Sequence, residues 1–150
     1  MAIAKDNKPF IGIFGRRNNG KSSIINLIAK QDIAIVSDFA GTTTDPVKKS
    51  IEIAGIGPVV IIDTAGFDDI GELGNKRISK TKEVLKQVDV AILVITNNTF
   101  QTLEKDIIND FINADIPFMI IHNKSDIQKI NKPLKQELVD SYRISVIDFN

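Results

Sequence analysis

Short apolar runs alternate with amphipathic stretches along the 150 residues of the chain. PFIGIFG (9–15) is almost continuously apolar, ends on glycine and is followed by KSSIINLIA, which has helical spacing. VKKSIEIA (47–54) alternates apolar and polar positions, as a half-exposed edge strand does. The turn signal GIGP follows, and then VVIID (59–63), an apolar run of buried-strand length. So short a connection makes these two strands an antiparallel hairpin at the sheet edge. KRISKTKEVLKQV (76–88) places Ile78, Val84, Leu85 and Val88 on one helical face. VAILVIT (90–96) is a further strand, 102–114 an amphipathic helix, PFMIIHN (117–123) a strand, 133–140 a helix and ISVIDF (144–149) a last strand. Fully apolar strands separated by helices belong to a parallel sheet covered on both faces. The pattern predicts an α/β fold with a mostly parallel six-stranded sheet, one antiparallel edge strand and helices on both faces.

Composition narrows the class without naming a function. Hydrophobic residues at 43% and charged residues at 25% fit one globular domain. Lys plus Arg and Asp plus Glu are 19 each, so the charge announces no polyanionic partner, and no nucleic acid is expected. The chain has no cysteine, which excludes a disulfide, a zinc–thiolate site or an iron–sulfur cluster ligated by cysteine in this segment. MAIAKDNKPF is too short and too charged for a signal peptide, and no apolar run approaches the roughly 20 residues that span a bilayer. A cytoplasmic protein with no membrane association is expected. The sequence stops at Asn150 directly after a strand, where such folds continue with a loop and helix, so 1–150 reads as one domain of a longer polypeptide.

GRRNNGKSS (15–23) fits G-x-x-x-x-G-K-[ST] between a predicted strand and a predicted helix. In such a loop the glycines let backbone N–H groups turn onto phosphates, and the helix start adds partial positive charge. The candidate nucleotide contacts are Arg17, Asn18, Asn19, Gly20, Lys21, Ser22 and Ser23. Lys21 would reach the β- and γ-phosphates, and the Ser22 hydroxyl would ligate Mg²⁺. Arg16 and Arg17 read as solvated loop-tip residues rather than catalytic ones.

VVIIDTAG ends a buried strand on Asp63, placed to hold Mg²⁺ through a water, and Gly66 can offer its N–H to the γ-phosphate. In DFAGTTTDP (38–46), Thr42, Thr43 and Thr44 all compete on chemistry alone to complete the metal shell. IIHNKSD (120–126) presents N-K-x-D after a strand. Asp126 can accept from N1–H and the 2-amino group of guanine, donors that adenine lacks. Asn123 can contact the base edge and tie this loop to the phosphate loop, and Lys124 can lay its stem over the ring. His122, on the apolar strand, reads as a packed core residue. Phe67 stands where many nucleotide hydrolases keep a water-orienting glutamine, and phenylalanine cannot polarise water.

GRRNNGKS, a switch threonine, DTAG and NKSD, in that order, resemble the Ras-like P-loop GTPases. GxxNxGKS, AIVSDFAGTT and the hydrophobic residue after DTAG are similar to the branch containing TrmE, Era and EngA. Within it, QDIAIVSDFAGTTTDPV, IGPVVIIDTAGFDDIGELG and Arg17 resemble the HydF family of [FeFe]-hydrogenase maturation GTPases. Relatives of the TrmE and Era kind usually carry proline and arginine where this chain has Arg17 and Thr44. The resemblance implies a slow GTP hydrolase that cycles between GTP and GDP, with Thr43 as the Mg²⁺ ligand. It implies K⁺ held by Asn18 and by carbonyls at Ser37 and Phe39, where an arginine finger would otherwise place its charge. Glu72 becomes the candidate for positioning water, with Asp68 and Asp69 as alternatives. Implied partners are GTP, downstream dimerisation and cluster-binding domains, hydrogenase maturation proteins and a second copy paired through the switches. Asn150 falls at the serine position of a motif that supports the guanine in relatives. Two other functions compete: a GTP-binding regulatory module with negligible hydrolysis, and a GTPase of tRNA modification or ribosome assembly.

Overall fold

The computed structural model describes residues 8–16, 20–21, 23–25, 47–53, 55, 57–64, 82–125 and 128–148. Among the described residues six strands form one sheet: β1 (Phe10–Gly15), β2 (Val47–Ile53), β3 (Gly57–Asp63), β4 (Val90–Thr96), β5 (Phe118–Asn123) and β6 (Val146–Asp148). Their order is β2-β3-β1-β4-β5-β6, with β2 antiparallel to β3 and every other pairing parallel. The predicted edge hairpin is present. Its strands reach further round than expected, because the register closes at Ile53 opposite Gly57, and GIGP therefore contributes its last two residues to β3. Pro58 is tolerated there because β1 pairing begins only at Phe10 opposite Val60.

Alternation along each strand divides the apolar residues between two cores, as period-2 geometry requires. Phe14, Ile62, Leu93, Ile95 and Ile120 face one core; Ile13, Ile61, Ile92, Val94 and Ile121 face the other. Ile24 and Ile25, on the helical start after the phosphate loop, cover the second core. The first is covered by Val84, Leu85 and Val88 and by two full helices, α1 (Thr102–Asn113) and α2 (Lys132–Tyr142). Helix α1 buries Ile107, Ile108 and Phe111 at i, i+1 and i+4, and the Phe111 ring meets Phe14 edge-on with centroids 5.0 Å apart. Helix α2 begins behind Asn131 and ends on Arg143 in the left-handed conformation, with its N–H donating to Val139 O. That stop delays the last strand: Ile120 N–H already bonds Ser145 O, but strand geometry starts at Val146 rather than at 144. Within the predicted helix of 76–88, residues 82–85 are helical, and 76–81 lie outside the described residues. Among the described residues no helix is long and apolar enough to cross a membrane.

The chain leaves β1 to one side of the sheet for β2 and β3, then returns to the other side for β4. The carboxyl ends of β1, β3, β4 and β5 therefore converge at a topological switch point, where open α/β sheets bind ligands.

Candidate nucleotide-binding site

The phosphate loop starts where β1 presses against β4. At Gly15, φ is +149°, and a Cβ there would sit 2.6 Å from Val94 O. Gly20 closes the loop at φ +81°, and its missing Cβ would lie 2.4 Å from Asn123 Nδ2. The phosphate loop and the base-reading loop thus touch, glycine against amide, as the sequence reading proposed for Asn123. The helix begins at once: Ile24 N–H donates to Gly20 O at 3.2 Å. Lys21 is 7% exposed, and its Nζ donates to Gly15 O at 2.9 Å and Arg16 O at 3.2 Å. An ammonium carried on carbonyls at a helix start is a cation set at the throat of the loop, suited to an anionic group. Ser23 is exposed in this helical start.

Asp63, the last residue of β3, lies beside the phosphate strand, paired with Ile13 in register. Its Oδ1 is buried and has no hydrogen-bond partner among the described residues. A buried carboxylate oxygen without a donor is costly, and a metal-bound water is a donor of the right kind. The residues present therefore fit Mg²⁺ and a triphosphate. Thr64, not singled out in the sequence, fixes Asp63 in place: its Oγ1 donates to Ile13 O at 2.8 Å, and its N–H bonds the same oxygen.

Arg16 departs from the expectation of a solvated loop tip. Its Nε and Nη2 donate to Glu104 at 2.6 and 3.1 Å, and that carboxylate is only 2% exposed. Glu104 Oε1 also accepts Gln101 N–H at 2.8 Å, so one acid caps α1 and anchors the phosphate loop. Nothing local marks this pair, because its members lie 88 residues apart.

Asn123 ends β5 at 5% exposure, and Lys124 follows with φ +62°, a conformation costly for a side chain with a Cβ. Backbone strain of this kind collects at functional turns. His122 is fully buried, as a core residue should be, but both ring nitrogens are engaged: Nε2 faces Asn98 N–H at 3.1 Å, and Nδ1 faces Asp148 Oδ1 at 3.0 Å. Burial works against the Asp148 carboxylate, yet hydrogen bonds from Ser125 and His122 outweigh it and hold its pKa below the ordinary 3.8. Arg17, Asn18, Asn19, Ser22, Ser37, Phe39, Thr42, Thr43, Thr44, Gly66, Phe67, Asp68, Asp69, Glu72 and Asp126 lie outside the described residues.

Residues 10–124 match the family described as "50S ribosome-binding GTPase". The chain is 40% identical over 118 residues to the tRNA modification GTPase MnmE of Prochlorococcus marinus, covering 78% of this chain and 25% of that protein. It is 36% identical over 136 residues to MnmE of a Thermoanaerobacter species, covering 90% of this chain and 29% of the relative. It therefore spans about a quarter of the length of these relatives. An Era variant of Aquifex aeolicus, solved with GDP and AlF4⁻, superposes with a TM-score of 0.69 at 24% identity, over 92% of this chain and 49% of that one. Era in complex with MgGDPNP and a segment of 16S ribosomal RNA gives 0.70 at 24% identity, over 93% and 49%. These two likenesses establish the Ras-like P-loop fold. With Lys21, Asp63 and Asn123 brought to the carboxyl ends of β1, β3 and β5 and residues 10–124 matching its model, the chain belongs to the family of 50S ribosome-binding GTPases.

Proposed function

We propose that this chain is the GTP-hydrolysing switch domain of a multidomain protein, and that K⁺ stimulates its turnover. The observation that carries the reading is the convergence of Lys21, Asp63 and Asn123 on the carboxyl ends of β1, β3 and β5, with Gly20 seated on Asn123. In this reading the loop residues from Arg17 to Ser23 wrap the phosphates, with Lys21 neutralising their charge. Ser22, Thr43 and Asp63 would hold Mg²⁺, which neutralises charge on the β- and γ-oxygens when bound. Gly66 donates to the γ-phosphate, and Asn123, Lys124 and Asp126 select guanine. Asn18, with carbonyls of Ser37 and Phe39, would hold K⁺, and Glu72 positions water in place of the glutamine that Phe67 replaces. An arginine finger is worth roughly 10³ to 10⁵ in rate, so a bound monovalent ion supplies a smaller part of that range.

Single-turnover hydrolysis in K⁺ and in Na⁺ buffers tests this directly. Turnover should rise in K⁺ and lose that rise in Asn18→Ala; equal rates in both salts would refute the potassium site. Lys21→Ala should abolish GTP binding, and unaltered affinity would overturn the phosphate-loop assignment. Hydrolysis too slow to detect in either salt would favour the regulatory module.

Two readings of the process it serves each have an observation behind them. Tested against the relatives, tRNA modification has the stronger support, since the curated proteins it matches carry that name. Hydrogenase maturation rests on Arg17 and Thr44, which stand where the TrmE and Era kinds keep proline and arginine. Deleting the gene separates them. Loss of [FeFe]-hydrogenase activity with intact tRNA modification supports maturation, and the opposite outcome supports tRNA modification.

A further inference from the structure

His122, Ser125 and Asp148 form a polar cluster at the end of β5 to which the proposed function assigns no role. Asn98 N–H can only donate, so the lone pair of His122 Nε2 accepts it at 3.1 Å. The neutral ring then carries its proton on Nδ1, which points at Asp148 Oδ1 at 3.0 Å, with Ser125 Oγ at 3.3 Å. The Ser125 hydroxyl donates to the same aspartate oxygen. One carboxylate oxygen on β6 thus gathers the two residues that bracket Asn123 and Lys124. The return path of the loop is held from the other side of His122. Gln128 N–H donates to Lys124 O at 3.1 Å, while the Asn98 side chain donates to Lys129 O at 3.1 Å and accepts Asn131 N–H at 2.7 Å. The residue that touches His122 Nε2 through its backbone therefore also fastens 129 and 131 through its side chain.

Any fully buried imidazole needs partners for both nitrogens, and here those partners are groups that also hold Ser125 and the segment 129–131 on either side of the turn. We infer that His122, through Asp148 and Asn98, is a positioning residue for guanine recognition, holding the strained Asn123–Ser125 turn at the angle from which the loop reads the base. This rests on the assignment of N-K-x-D as the guanine reader.

The test is competition binding of GDP, ADP and IDP, the last of which lacks only the 2-amino group of guanine, to the wild type and to Asp148→Ala, Asp148→Asn and Asn98→Gly. ¹⁵N spectra of the His122 ring accompany it. Asn98 has φ +54°, a conformation glycine adopts without strain, so this variant supplies a second reading if the aspartate variants are unstable. The wild type should show a proton on Nδ1 and prefer GDP. Asp148→Ala should bind GDP about 10-fold more weakly and lose most of its preference over IDP. Asn98→Gly should lose part of that preference, and Asp148→Asn, which keeps an acceptor oxygen, should recover much of it. A proton on Nε2, or an unchanged GDP-to-IDP ratio in Asp148→Ala and Asn98→Gly, would overturn the positioning role. A wild type without any preference for GDP over ADP would overturn the guanine assignment itself, and the inference with it.

Discussion

Arg16→Ala should destabilise the fold by about 2 kcal/mol, even though Arg16 sits at the surface end of the phosphate loop. The substitution strands the Glu104 carboxylate, 2% exposed, with only Gln101 N–H left of its three hydrogen bonds from described residues. Removing one partner of a buried ion pair costs roughly 3–5 kcal/mol, because the other charge stays desolvated. The Arg16 side chain is 35% exposed, so water reaches one side of the pair and the cost falls below that range. In the double variant Arg16→Ala/Glu104→Gln no charge is stranded, and about half of the loss should return. Urea unfolding reads both. With a slope of about 2 kcal/mol/M, the midpoint of Arg16→Ala should fall by about 1 M, at an unchanged slope. Alanine keeps the backbone oxygen that accepts Lys21 Nζ but loses the side chain that ties this residue to Glu104, so GDP affinity should fall in the single variant as well. A midpoint within about 0.2 M of wild type, or a double variant less stable than Arg16→Ala, would refute the reasoning.

Gly20→Ala places a Cβ 2.4 Å from Asn123 Nδ2 at φ +81°, which strains the backbone by about 1–2 kcal/mol and pushes the two loops apart. GDP should bind at least about 10-fold more weakly by titration, and wild-type affinity would contradict the loop contact. Because Asp148 has a pKa lowered in the folded state, its contribution to stability is complete above 3.8 and is lost as pH falls through the folded value. Asp148→Asn should accordingly be less stable than wild type near neutral pH, with the gap closing in acid; a gap independent of pH would argue against the charged network. Phe111→Ala removes the ring packed on Phe14 and Phe118 and should cost about 3–5 kcal/mol in the same unfolding assay. A loss below about 1 kcal/mol would mean that α1 is not essential to that core.

What the sequence determined by itself is what depends on near neighbours. Apolar runs such as VAILVIT became β4 with its predicted bounds, because a fully buried strand needs apolar residues on both faces. The edge hairpin was legible from its alternation and short turn, and GRRNNGKS and NKSD from their spacing after a strand. Their bounds slipped where long-range pairing ruled: β3 begins at Gly57 because β2 continues to pair there, and β6 waits for α2 to end. The site followed the same division. Lys21, Asp63 and Asn123 announced their chemistry singly, but their meeting at one rim is a property of strand order, which no local pattern carries. Arg16 with Glu104 and His122 with Asp148 were invisible for the same reason: each joins residues far apart in the chain, 88 and 26 positions respectively. Only the tertiary structure, by seating β1 between β3 and β4, turned separate motifs into one loop resting on another, and left Glu104 and Asp148 buried or bonded where their charge must be answered.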